Sequence, residues 1–153
     1  MSAQDLRDEV GYDLSQMRIA VDELESLRRD IGERTPALRE VMAAGGFLAS
    51  FYSGVENILK RVSKHHGVPL PSGDHWHVAL FDRFREPPVE GLPVLFSEPL
   101  AADLDVYRRF RHVVRTSYGV ELDWTKVAMG IDRLGSVFDG FRASVRDHLG
   151  RLD

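Results

Sequence analysis

Val10, Leu14, Met17, Val21, Leu24 and Ile31 step along the chain by 4, 3, 4, 3 and 7 residues. That alternation keeps the six side chains on one stripe of an α-helix, whereas a strand would need a period of two. The remaining faces carry Arg7, Asp8, Glu9, Asp22, Glu23, Glu25, Arg28, Arg29 and Asp30. Residues 4–33 therefore predict one long helix with a dry stripe and wet flanks. Near the other end, Val127, Ile131, Leu134, Phe138, Phe141 and Val145 step by 4, 3, 4, 3 and 4. This is a second stripe, on a helix expected over 124–150. Neither helix can bury its stripe alone, so both belong in a bundle.

The intervening chain fills the bundle. Thr35-Pro36 pairs a hydroxyl N-cap with a proline at the first helical position and predicts a helix over 36–65. Its apolar face is wide, comprising Leu38, Val41, Met42, Leu48, Phe51, Tyr52, Val55, Ile58, Leu59 and Val62. Such width implies several neighbours and a central place. Gly45, Gly46 and Gly54 each cost about 1 kcal/mol of helix propensity relative to Ala, and are read as points of close helix approach. A short helix over 74–85, capped by Ser72 or Asp74, ends at Pro87-Pro88. Residues 87–97 form a connector of the length that often borders a site. A fourth helix spans 98–118, and Asp123 caps the fifth. The expectation is an all-α, up-and-down bundle of about five helices, with residues 1–153 as a single domain.

Several function classes are removed at once. The 153 residues contain no cysteine, which excludes disulfides, thiolate catalysis and cysteine zinc sites. No window nears the apolar length of a membrane span, and Met1–Val10 has no apolar signal-peptide core, so a cytoplasmic location without membrane contact is expected. The net charge of −4 means that any nucleic acid must be met locally rather than by a basic whole. His65, His66, His75 and His77 crowd into one stretch. Chelating pairs on a helix usually stand four apart, though, and no carboxylate spacing completes a ligand set, so no metal and no cofactor are expected. His77, beside Trp76, reads as a helix-start or site-adjacent residue.

Chemistry concentrates in Tyr107-Arg108-Arg109-Phe110-Arg111-His112-Val113-Val114-Arg115-Thr116-Ser117-Tyr118. On a helical wheel Val106, Phe110, Val113 and Val114 form a core-facing side. Arg108, Arg111, Arg115 and Tyr118 share another, with His112 beside Arg108 and Arg115. One reading is a solvated face whose arginines pair with Asp103 and Asp105. The other is an anion site, because a guanidinium stays charged and its planar fork of donors fits phosphate. RNA can be cut without metal if one group takes the 2′-OH proton, others stabilise the phosphate and a proton reaches the leaving oxygen. On that reading Arg111, His112 and Arg115 are the catalytic candidates. Arg108, Arg109, Arg111 and Arg115 are the phosphate-binding candidates.

The segment Arg108 to Asp123 resembles the signature helix of HepT-like proteins in the HEPN superfamily. Gly54-Val55-Glu56-Asn57-Ile58-Leu59-Lys60-Arg61 and Pro71-Ser72-Gly73-Asp74-His75-Trp76-His77 resemble companion segments of the same group. The resemblance implies a helical bundle that forms a homodimer with its signature helices facing each other. It also implies a metal-independent endoribonuclease toxin acting on RNA, and a small MNT-type nucleotidyltransferase antitoxin able to adenylylate a tyrosine. The family motif runs from an arginine to a histidine and then to a tyrosine two residues later. Arg111 and Tyr118 match it, which makes Tyr118 the expected adenylylation site, but the histidine position holds Thr116. Either His112 with Arg115 replaces the missing group, or the chain is an inactive module that binds RNA, nucleotide or an antitoxin. A helical protein docking an acidic partner is the third reading.

Overall fold

The computed structural model describes residues 2–117 and 121–153. Five helices follow in order: α1 Ala3–Ile31, α2 Leu38–His65, α3 Trp76–Asp82, α4 Glu98–Ser117 and α5 Trp124–Gly150. The described residues contain no strand, only an isolated bridge between Arg85 and Phe96. The expected all-α bundle of five helices is what forms. No helix among the described residues is long and apolar enough to cross a membrane.

Both 4–3 stripes are core. Val10, Leu14, Met17, Val21, Leu24 and Ile31 are buried on α1, and Val127, Ile131, Leu134, Phe138, Phe141 and Val145 on α5. The four long helices close a ring, with α1 on α2, α2 on α4, α4 on α5 and α5 back on α1. Helix α2 also carries α3, which accounts for its wide apolar face. That face narrows at the N-terminal end, where Leu38 and Met42 are exposed.

Gly54 is where α1 comes closest, since a Cβ there would stand 2.3 Å from Met17 Cγ. A Cβ on Gly45 would meet Leu122 at 2.8 Å and Val114 of α4 at 3.2 Å. Gly46 has nothing within 4 Å, so close approach explains two of the three α2 glycines. On α4 the buried row is Ala101, Leu104, Tyr107 and Phe110, while Val106, Val113 and Val114 are only half-buried. The Tyr107 hydroxyl donates to the Gly130 carbonyl at 2.6 Å, tying α4 to α5.

Helix ends follow local hydrogen bonding more than propensity. Ser2 and Asp5 form a reciprocal capping box at α1. Asp123 caps α5 as expected, accepting from the Thr125 N–H at 3.0 Å. Helix α2 starts at Leu38 rather than 36, and Thr35 is not its cap. The Glu40 carboxylate accepts from the Ala37 N–H at 2.8 Å and pairs with Arg34 at 2.6 Å, closing the helix one turn in. These contacts, with Arg34 foremost, hold the Glu40 carboxyl down at about 2. Neither Ser72 nor Asp74 caps α3, whose N-cap is His75 without a side-chain bond. In the connector Leu92, Leu95 and Phe96 are buried, and the Leu95 and Phe96 N–H groups both donate to the Phe84 carbonyl.

Candidate active site

A cleft of about 380 Å³ lies among α2, the segment from Asp74 to Val78, and the C-terminal half of α4. Helix α2 contributes Tyr52 and Glu56, one turn apart on its inward face. The start of α3 contributes His77, and α4 contributes Arg108, Arg109, Arg111, His112 and Arg115. The connector 87–97 lines none of it, because its apolar side chains pack instead into the cluster around Phe81, Phe84 and Phe96.

His77 is the hub. Its Nδ1 lies 2.5 Å from Oε2 of Glu56, whose side chain is 3% exposed. A carboxylate only accepts, so Nδ1 carries the proton and donates it. The neutral ring then presents a lone pair at Nε2, which faces Arg115 Nη1 at 2.7 Å. Arg111 Nη1 is 3.5 Å from the same Nδ1, but two N–H groups cannot bond each other. The real partners of Arg111 are Ser53 Oγ, which accepts from Nε at 3.2 Å, and Oε1 of Glu56 at 3.5 Å. Each oxygen of the buried carboxylate therefore has its own cationic or N–H partner, as a buried charge requires. The Trp76 indole lies against the imidazole, with ring centroids 3.5 Å apart, and Lys60 caps the indole at 4.5 Å.

Tyr52 is fully buried, and its hydroxyl meets no hydrogen-bond partner among the described residues. Burial, reinforced by the charge of Glu56, pushes the phenol well above its ordinary range. Tyr52 is therefore a neutral donor held at the floor of a cationic cleft.

The other groups divide clearly. Arg108 and Arg109 both pair with Asp105, at 2.6 and 2.7 Å. Asp103 does not join them; it reaches across to Arg133 of α5 at 2.6 Å. His112 stands exposed on the rim of the cleft. The Thr116 hydroxyl donates to the carbonyl of His112 at 3.0 Å, so it is occupied by its own helix. His65 and His66 lie away from this site: His66 meets His148 of α5, Nε2 to Nε2, at 3.1 Å. Among the described residues no group of three or more His, Asp or Glu is placed to hold a metal ion.

A family model described as HepT-like protein matches residues 43–152. The chain belongs to the HepT-like family. No curated protein and no solved structure matches it. The matched span takes in all of the cleft and leaves α1 outside. The family lies in the HEPN superfamily, whose members are associated with toxin and ribonuclease activity and often dimerise.

Of the residues singled out in the sequence, this HepT-like chain brings Arg108, Arg109, Arg111, His112 and Arg115 to one cleft. Thr116 is exposed on the same helix. Tyr118 lies outside the described residues. From sequence, Tyr52 belongs to the apolar face of α2, Glu56 to a family-like segment without assigned chemistry, and His77 to a helix start or the neighbourhood of the site. A signal was present, because Tyr52, Val55, Glu56 and Leu59 follow the i, i+3, i+4, i+7 pattern of a buried face. An acid on such a face needs a partner.

Proposed function

We propose that this protein is the toxin of a HEPN/MNT toxin–antitoxin pair and a metal-independent endoribonuclease. The observation that carries the reading is the placement of two arginines of α4 in a single cleft around one Glu56–His77 pair, Arg111 on the carboxylate and Arg115 on the imidazole. The two guanidinium groups clamp the scissile phosphate and stabilise the charge that grows on it. Arg108 and Arg109, partly neutralised by Asp105, line the approach. His112, at the rim, exchanges a proton with the reacting oxygens. In the homodimer the two α4 helices face each other, and RNA lies in the composite cleft. An MNT-type antitoxin adenylylates Tyr118, adding negative charge and bulk three residues along the chain from Arg115 and closing the phosphate site.

The test is cleavage of RNA by the purified protein in EDTA, beside Arg111→Ala, Arg115→Ala and His112→Ala. Loss of a clamp arginine is expected to lower the rate about 100-fold or more. Equal, robust cleavage by wild type and all three variants sinks the site assignment.

One observation favours a second reading, a binding module without turnover. Thr116 stands where the family motif has histidine, and its hydroxyl is held on backbone carbonyls. Salt-sensitive RNA binding with no product would select it.

A further inference from the structure

We propose that His77, oriented by Glu56 and masked by Arg115, is the general base of the cleft, a role taken over from the motif position that holds Thr116. The proposal rests on the ribonuclease reading above and names a catalytic residue that lies outside the signature helix.

The geometry carries it. A general base needs a lone pair, a fixed direction and a counter-charge for the proton it takes. The carboxylate of Glu56 at 2.5 Å fixes the Nδ1–H tautomer, so the lone pair is at Nε2, on the side where Arg115 lies. The same carboxylate, buried within α2, stabilises the imidazolium that forms. Trp76 lies along the ring and limits its rotation. His112 has no such partner among the described residues, and Thr116 Oγ donates to its own helix. The charged and titratable groups in contact with His77 are Glu56 from α2 and Arg111 and Arg115 from α4; the cleft around it also holds Tyr52, Arg108, Arg109 and His112, with Asp74 and His75 from its own segment and Lys60 behind Trp76.

Arg115 makes the base conditional on substrate. In the free protein its Nη1 occupies the Nε2 lone pair. A phosphodiester entering the cleft competes for that guanidinium with a full negative charge, which a neutral imidazole cannot match. Once Arg115 turns to the phosphate, Nε2 is free and lies beside it. The step then balances as follows. Nε2 takes the 2′-OH proton, the 2′ oxygen forms a bond to phosphorus, and the bond from phosphorus to the 5′ oxygen breaks. The leaving oxygen receives a proton from His112 or water, giving a 2′,3′-cyclic phosphate and a 5′-hydroxyl end.

The experiment is single-turnover cleavage of an RNA oligonucleotide in EDTA by wild type, His77→Ala, His77→Gln, Glu56→Gln and Arg111→Ala, with and without added imidazole. His77→Gln keeps an N–H for Glu56, so the buried carboxylate stays satisfied and folding is protected. The histidine variants are expected to lose about 100- to 10,000-fold in rate. Imidazole is expected to restore part of it in His77→Ala and none in Arg111→Ala. Glu56→Gln should cleave up to about 10,000-fold more slowly, with RNA affinity unchanged, because the amide no longer fixes the tautomer. Nitrogen NMR of the free wild type should show the Nδ1–H tautomer, with the Nε2 resonance moving when a 2′-deoxy oligonucleotide, which cannot react, is added. Wild-type cleavage that survives His77→Ala overturns the proposal and leaves the nuclease reading standing, as does an Nε2–H tautomer. A loss in His77→Ala that imidazole does not restore also overturns it. A wild type that leaves RNA intact overturns both together.

Discussion

Gly54→Ala and Gly46→Ala make the same chemical change on the same helix, yet only the second should stabilise it. In an exposed helix interior the change relieves about 1 kcal/mol of backbone entropy. Gly46 is exposed with nothing within 4 Å of an added Cβ, so it should collect that gain. For a chain of this length the gain is a rise of about 2–4 °C in melting temperature. At Gly54 the new Cβ would stand 2.3 Å from Met17 Cγ and 2.7 Å from its Sδ, and Met17 is 1% exposed with no solvent side to move into. Overpacking of this kind costs about 1–3 kcal/mol. Net of the propensity gain, Gly54→Ala should be neutral to about 2 kcal/mol destabilising. Urea unfolding read by circular dichroism measures both, with the denaturant slope unchanged if only stability moves. Adding Met17→Ala to Gly54→Ala opens the space, so the double variant should cost less than the sum of the singles, with a coupling of about 0.5 kcal/mol or more. Equal stabilisation by the two alanines would refute the close approach of α1 and α2 at this point.

Three further outcomes follow from the same structure. His66 and His148 are both held below their ordinary value, first by burial and then by nearby charge: His65 for His66, and His66, His65 and Arg151, against Asp147, for His148. The unfolded chain takes up protons before the folded one as pH falls below 6.5, so their contribution is full above that point and lost below it. Melting at about pH 7.5 and 5.5 should show this loss, and His148→Gln should flatten it; an unchanged pH dependence would refute the pairing. Asp123→Ala removes the α5 cap and should cost about 1 kcal/mol, read by thermal melting, with no loss counting against the cap. Single-stranded RNA binding should fall with salt with a slope of about −1.4 if Arg111 and Arg115 alone meet phosphate, at about −0.7 per contact. Fluorescence anisotropy across a salt series measures it, and a slope steeper than about −3 would mean that more than the four cleft arginines are engaged.

The sequence was most legible where periodicity acts. The 4–3 stripes of α1 and α5 placed their core residues correctly, because a helix with one dry face has few alternatives. Helix ends were less legible. Thr35-Pro36 has the composition of an N-terminus, yet Glu40 closes α2 later through its bonds to Ala37 and Arg34. Those bonds compete locally with the hydroxyl cap, and propensity alone does not rank them. Part of the cleft was legible for the same reason as the stripes: Arg108, Arg111 and Arg115 share a helix face whatever they pack against. His77 lies more than thirty positions upstream of Arg111, and only the docking of α3 on α2 brings it to α4.

The buried Glu56 carries the last step of the argument. Replacing a buried ion pair by apolar groups of similar volume is often neutral or stabilising, so stability does not explain why an acid sits on the inward face of α2. Arg111 lies at 3.5 Å, a loose pairing, and its Nε is committed to Ser53. The close contact is with His77. The carboxylate therefore serves chiefly to fix an imidazole tautomer and keep a proton-accepting nitrogen pointed at an arginine. Arg108 and Arg109 are largely neutralised by Asp105, whereas Arg115 has no carboxylate partner among the described residues. The least compensated guanidinium of the cluster thus rests on an imidazole nitrogen whose lone pair is held in place by a buried carboxylate. In a chain of net charge −4 this confines the anion-attracting field to the place where acid–base chemistry is available. Glu56, His77 and Arg115 form one unit, and substitution at any of the three should disturb the other two more than any residue on the solvated faces.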